Sequence, residues 1–212
     1  MIALLPIDLV MLGDAERAYV APTISSDLAH ALVVEDATSI RISFKGTNNI
    51  RDDLTDADAE STDLAGFSVD AGFFASATSI AWRLIPLVLT AVAAGKMIYI
   101  GGHSKGGAEA QIFVLMLILL GIAVERLVVF EPARALGTAA LTAIAAVPSI
   151  ATRNGCDDVP SLPPRFGSLP LLQLGSTAFR IERLVADHLL VNVRPAFEVV
   201  YNSLPTVPAK GV

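Results

Sequence analysis

The 212 residues suffice for one sizeable core and are short for two, so one domain over 1–212 is expected. Hydrophobic residues make up 53% and charged residues 17%, with a mean hydropathy of +0.61, which excludes intrinsic disorder. A net charge of -6 without a Lys/Arg stripe argues against a nucleic-acid partner, and the single cysteine, Cys156, allows neither an internal disulfide nor a cysteine zinc site, so neither metal nor cofactor is expected.

The amino terminus, "MIALLPIDLVML", is apolar but has no positive n-region and carries Pro6 and Asp8, so it does not read as a signal peptide. A helix is expected around Leu9 to Tyr19. In "HALVVEDATSIRISFKGT" (His30 to Thr47), Ile40, Ile42 and Phe44 alternate with Arg41, Ser43 and Lys45, and "EDATS" supplies a turn, so a hairpin is expected. The acidic stretch from Asn48 to Asp70 reads either as an entrance loop or lid, or as a solvated connection with a short strand.

From Gly72 to Ala94 the apolar residues Phe73, Ala77, Ile80, Leu84, Leu87 and Ala91 recur at helical steps, with Pro86 expected to kink the helix near its middle and Gly95 to end it. "MIYIG" is a short strand, Gly106 to Leu120 a second apolar helix, and "ERLVVFEPAR" a strand suited to burial on both faces. Strand, helix and strand in that order predict a βαβ unit and an α/β fold with a parallel central sheet. The longest apolar run, Ile112 to Val124, falls short of the roughly 18 to 20 residues of a membrane span and reads as a buried core helix. A small-residue helix (Gly137 to Val147), a strand in "PSIATRNG", the loop "CDDVPSLPPRFG", a strand pair around Gly175 and Ser176, and a Pro-rich tail at 203–212 follow.

The stretch "KMIYIGGHSKGGAEA" (Lys96 to Ala110) carries the chemistry. Neither register beginning at Gly101 or Gly102 gives Gly-x-Gly-x-x-Gly, and Gly107 and Ala108 stand where a P-loop needs Lys and Ser or Thr. Gly102-His103-Ser104-Lys105-Gly106 does fit the nucleophile elbow, in which a serine sits on a sharp strand-to-helix turn between residues lacking side chains. The backbone N–H of Lys105, at the helix start, would then face a developing oxyanion.

A serine nucleophile needs a base. Of the three histidines, His103 neighbours Ser104 and reads as a packing residue, His30 lies upstream before a strand, and His188 lies downstream where an α/β-hydrolase carries its base. The carboxylates between Ser104 and His188 are Glu109, Glu125, Glu131, Asp157, Asp158, Glu182 and Asp187. Asp157 and Asp158, on a loop just past a strand, fit the orienting role.

These motifs resemble the class 3 (fungal-type) lipases of the α/β-hydrolase superfamily. "GHSKGGAEA" is similar to that family's elbow, "SFKGTNNIRDDLTD" to its Phe-Arg-Gly-Ser/Thr strand end and the Asp-Trp-x-x-Asp after it, "VDAGFF" to its His-x-Gly-Phe, "VVFEPAR" to its Phe-Gly-x-Pro-Arg, and "CDDVPSLPP" to its Asn-Asp-x-Val-Pro-x-Leu-Pro-Pro. The resemblance covers about residues 40 to 190 in the family's order. It implies an α/β-hydrolase fold, a Ser104–Asp157–His188 triad, and an oxyanion hole from Thr47 and Lys105. The sequence departs from the pattern in Lys105 for an apolar residue, Lys45 for Arg and Asp53 where Trp is common.

The resulting expectation is a serine hydrolase of carboxylic esters with apolar acyl chains, acting on a small-molecule or lipid ester with a lipid interface as partner. A phospholipase or thioesterase could use the same triad, because fold does not choose among them. Readings from other classes are a non-catalytic relative that binds, and a membrane-associated protein built around residues 112 to 124. Compartment and oligomeric state are open at this level.

Overall fold

Period-two alternation in the central strands places apolar side chains on both faces of one sheet, so helices must cover both sides. The computed structural model describes residues 4–47, 60–174 and 188–203. In chain order the elements are α1 (Pro6–Val20), β1 (Ile24–Ser25), β2 (His30–Glu35), β3 (Ser39–Phe44), β4 (Ser61–Leu64), β5 (Phe67–Asp70), α2 (Ala71–Ala93), β6 (Met97–His103), α3 (Lys105–Leu119), β7 (Arg126–Phe130), α4 (Thr138–Ile144), β8 (Ser149–Asn154), a 3-10 turn (Val159–Ser161), β9 (Leu171–Leu174) and α5 (Leu190–Ser203).

The seven-stranded sheet runs β1-β2-β3-β6-β7-β8-β9, antiparallel through β1, β2 and β3 and parallel from β3 to β9. Ile98, Ile100, Leu127 and Val129 face a core shared with α2, α3 and α4, whereas Tyr99, Val128, Phe130 and Ile150 face the opposite one, under α1 and α5. This is the α/β-hydrolase arrangement expected from the strand-helix-strand pattern. Helix α3 is buried from Gly106 to Leu117, so the longest apolar run is a core helix held between the sheet, α2 and α4.

Several expectations are refined. Strand β3 alternates as predicted, but its second face is also covered: Arg41 Nε donates to Asp14 Oδ2 of α1 at 2.7 Å and Ser43 is buried. On α2, Leu87 does not meet the core; it is 38% exposed, and Val88 is buried instead. Both lie within one turn of Leu84, and sheet packing selects the four-residue step. Asp70 caps α2 by accepting Phe73 N–H at 2.8 Å, and the helix continues through Pro86. Among the described residues α2 alone is long and apolar enough to cross a membrane by length and composition, with 39% of that stretch buried.

Within the acidic region, residues 61–70 form the β4–β5 hairpin, while 48–59, including Asp53, lie outside the described residues. Of the strand pair expected around Gly175, Leu171–Leu174 is a strand; residues 175–187 and the tail from 204 onward are likewise outside. Helix α5 was not expected, because Pro195 interrupts its pattern. Leu190, Val193 and Phe197 supply its buried stripe, with the Phe197 ring edge-on to Phe130 at 5.6 Å. Arg194 then clamps α5 to α1 through two bonds of 2.6 Å to the Glu16 carboxylate. Across the sheet, buried Arg126 of β7 grips Asp8 of α1, with Nη2 to Oδ2 at 2.8 Å.

Candidate active site

Ser104 alone separates β6 from α3, and its backbone has φ 57 and ψ -126. A non-glycine residue in that region is strained by about 1–3 kcal/mol and persists only when its surroundings hold it. Here Ser104 N–H donates to Phe130 O of β7 at 3.0 Å, and Ser104 O accepts from Gly107 N–H at 2.9 Å. Gly102 and Gly106 allow the turn to close: a methyl on Gly106 would strike the Phe44 carbonyl, and one on Gly102 would lie 2.9 Å from the same oxygen. The first turn of α3 is thereby pressed against the end of β3, and Ser104 is 2% exposed.

The loop after β3 crosses the serine. A methyl on Gly46 would come within 3.1 Å of Ser104 Cβ and 2.7 Å of His103 O, so only glycine lets the segment carrying Thr47 lie so close. Lys105 follows Ser104 as the first helical residue, where backbone N–H groups have no partner within the helix. Its side chain runs away to a buried polar cluster: Nζ bonds Leu28 O at 2.6 Å, Ser76 Oγ at 2.8 Å and the Glu109 carboxylate at 2.7 Å. The fully buried Glu109 explains why a charged residue stands at position 105.

Of the two acidic loop residues, Asp157 meets a histidine and Asp158 does not. His188 Nδ1 donates to Asp157 Oδ2 at 2.7 Å, with both residues fully buried. Asp157 Oδ1 accepts Val159 N–H at 3.0 Å. Asp158 is half-exposed and pairs with Arg153 at 3.1 Å. The loop that carries them is tied to the end of β7, since Arg134 N–H donates to Leu162 O at 2.7 Å and its Nε to Ser168 Oγ at 2.8 Å. Burial raises the Asp157 carboxyl to about 7, against hydrogen bonds from Glu131 and Val159 that pull it down. Burial also lowers His188 to about 3, so its ring is neutral at pH 7.

His188 Nε2 is buried and has no hydrogen-bond partner among the described residues, so no bond joins it to Ser104 in this conformation. His30 stays in β2, opposite Ser25. His103 has more than a packing role: its Nδ1 bonds Tyr19 hydroxyl at 2.7 Å and its Nε2 bonds His188 O at 2.8 Å, with the two imidazole rings 4.7 Å apart. A carbonyl can only accept, so Nε2 of His103 carries the proton and Nδ1 accepts from Tyr19. Burial and the nearby His188 keep His103 well below the ordinary histidine range. Sequence reasoning missed this bridge because Tyr19 and His188 are 84 and 85 residues away from His103.

A cavity of about 340 Å³ opens beside Thr47 and His103, walled by Tyr19 and by Leu189, Leu190 and Val191 directly after His188. Among the described residues no cluster of three His, Cys, Asp or Glu side chains could hold a metal.

Comparison with solved structures returns the same architecture. The chain is similar to a lipase from Rhizopus microsporus var. chinensis, with TM-score 0.69 and 22% identity over 84% of this chain and 78% of that one. It is similar to the Rhizomucor miehei triacylglyceride lipase, with TM-score 0.67 and 19% identity over 80% and 79%. Lipase II from Rhizopus niveus gives TM-score 0.66 and 20% identity over 82% of each chain. No curated protein matches significantly by sequence. Residues 41–166, more than half of the chain, match the family described as Lipase (class 3). With an elbow serine between β6 and α3 inside that matched span, the chain belongs to the class 3 lipases, carboxylic ester hydrolases of the α/β-hydrolase fold.

Proposed function

We propose that the chain hydrolyses esters of apolar acyl chains through an acyl-enzyme, with Ser104 as nucleophile, His188 as base and Asp157 as its orienting carboxylate. One observation carries this reading most: a buried imidazole whose Nδ1 is committed to a buried carboxylate while its Nε2 has no described partner. Asp157 holds the proton on Nδ1, leaving a lone pair on Nε2, the only form able to accept a proton from a serine hydroxyl. On rotation of the Ser104 side chain, Oγ attacks the ester carbonyl as its proton passes to Nε2. The imidazolium that forms is offset by Asp157 and then protonates the leaving alkoxide. Water, deprotonated by the same nitrogen, releases the acid and restores Ser104.

The negative oxygen of each tetrahedral intermediate is held by the N–H groups of Lys105 and Thr47. The first belongs to the start of α3 and the second to the loop crossing Ser104. The Leu189–Val191 wall of the cavity suits an acyl chain better than a charged substrate. Similarity to a Rhizopus lipase and to the Rhizomucor miehei triacylglyceride lipase favours lipid esters and a lipid interface as the partners. Residues 1–212 are read as one catalytic domain.

Hydrolysis of p-nitrophenyl esters of increasing chain length, below and above their solubility limits, tests the substrate class. Rates should rise with chain length, and a fluorophosphonate should label Ser104 and stop turnover. Failure to hydrolyse any ester, or labelling elsewhere, would sink the proposal. Lys105→Met should keep the backbone donor, so kcat/KM should fall by less than about ten-fold. The same change strands Glu109 in the core and should lower unfolding free energy by about 3 kcal/mol, read by urea denaturation.

A further inference from the structure

We propose that the outer face of α2 is a docking surface for an anionic lipid bilayer, with Trp82, Pro86, Leu89 and Ala93 entering the headgroup boundary and Arg83 meeting lipid anions beside them. This gives a location to the lipid interface proposed above and rests on that reading only for its use in catalysis. Helix α2 buries Ile80, Leu84, Val88 and Ala91 in the core. Trp82, Pro86, Leu89 and Ala93 follow one another at steps of four, three and four residues, which sets them in one exposed row on the opposite side. Trp82 is 71% and Leu89 50% exposed, on the side where a surface helix ordinarily carries charged and polar residues.

The charge pattern selects the partner. The chain has 21 acidic and 15 basic residues, yet from Ala71 to Ala93 the only charged side chain is Arg83. A helix with one cation and no acid, on a protein of net charge -6, complements an anionic surface. Arg83 lies 6.0 Å from the centre of the Trp82 ring and commits Nη1 to Ser25 O at 3.1 Å. The other polar side chains on or beside the row are closed on the helix backbone. Thr78 Oγ1 donates to Phe74 O at 2.8 Å, Ser79 Oγ to Ser76 O at 2.6 Å, Trp82 Nε1 to Ser79 O at 3.1 Å and Thr90 Oγ1 to Pro86 O at 2.9 Å. Acyl chains accept no hydrogen bonds, so internal closure of this kind is what a lipid-facing helix requires. A protein partner would instead draw directional bonds from such groups at the rim of its interface.

Because its inner face is committed to the core, α2 lies along the bilayer rather than crossing it. The cavity beside Thr47 and His103 is walled by Tyr19 of α1 and by Leu190 and Val191 of α5, which cover the other face of the sheet. The docking face and the substrate cavity are therefore separate surfaces.

Trp82 is the only tryptophan in the chain, so its emission reports this face alone. In Ser104→Ala protein, which leaves the vesicle lipids intact, vesicles of phosphatidylcholine and phosphatidylglycerol should shift that emission to the blue. Brominated acyl chains should quench it, and the protein should float with the vesicles. Arg83→Gln should weaken binding to these vesicles by about five-fold, the scale of one basic residue at an anionic surface, and leave binding to phosphatidylcholine alone unchanged. Trp82→Gln combined with Leu89→Gln should weaken binding by more than about ten-fold without moving the melting curve, since both side chains are exposed. No flotation with either vesicle, or flotation with unchanged Trp82 emission, would overturn the assignment. So would a blue shift that grows with protein concentration in the absence of lipid, accompanied by a dimer in sedimentation, because the face would then belong to a second copy of the chain. If the native protein hydrolysed no ester, the catalytic reading would fail while the vesicle results would stand independently.

Discussion

Ser104→Ala should lower kcat for p-nitrophenyl esters by about 10^4- to 10^6-fold, with a folded protein remaining. The loss should be large because in the proposed mechanism the serine supplies the bond-forming atom, which neither the oxyanion donors nor the cavity can replace. The fold should survive because the strained turn is held by Ser104 backbone bonds to Phe130 and Gly107 and by the clearance at Gly102 and Gly106, none of which involves the hydroxyl. Alanine meets the same positive-φ penalty as serine, so thermal unfolding should shift by no more than the equivalent of about 1 kcal/mol. Steady-state kinetics and a melting curve on one preparation check both halves. Retention of a tenth of the native rate would remove Ser104 from the nucleophile's place.

Asp157→Asn should cost about 10^4-fold in kcat, although it exchanges one oxygen for a nitrogen of similar size. The reason lies in what Val159 and His188 each require of Asp157. Val159 N–H requires an acceptor at Oδ1, so the amide oxygen must stay there and its NH2 must face His188 Nδ1. A ring facing a donor at Nδ1 has to carry its proton on Nε2 and can no longer accept one from Ser104. Fluorophosphonate labelling should slow in parallel with ester hydrolysis, since both need the base. Equal labelling rates in native and Asp157→Asn enzyme would show that Asp157 does not set the tautomer.

Much of this fold is local in origin and legible as such. Ile40, Ile42 and Phe44 declared β3 by alternation, and the all-apolar Leu127–Phe130 declared a strand buried on both faces. Each pattern expresses geometry repeated by adjacent residues. Helix α5 was hidden by Pro195, whose local signal opposes a helix that Val193 and Phe197 secure only by docking on Phe130. Leu87 and Val88 fit the same helical spacing, and nothing short of the packed sheet could choose between them. Glu131 did carry a signal, an acid directly after a buried apolar strand, yet Thr152 and Asn154, which bond its carboxylate, lie 21 and 23 residues later beyond α4.

The amino-acid sequence by itself determined the elbow around Ser104, since the clearance a strained serine needs comes from glycines beside it. It also determined the layered α/β class, through periodicities of two and of three to four residues, and the family through ordered motifs from the β3 end to the prolines after Asp157. The tertiary structure alone decided what His103 does and that Glu131 is buried against Thr152 and Asn154. Those contacts join the ends of parallel strands and a distant helix, so they exist only once the crossovers have set the strand order.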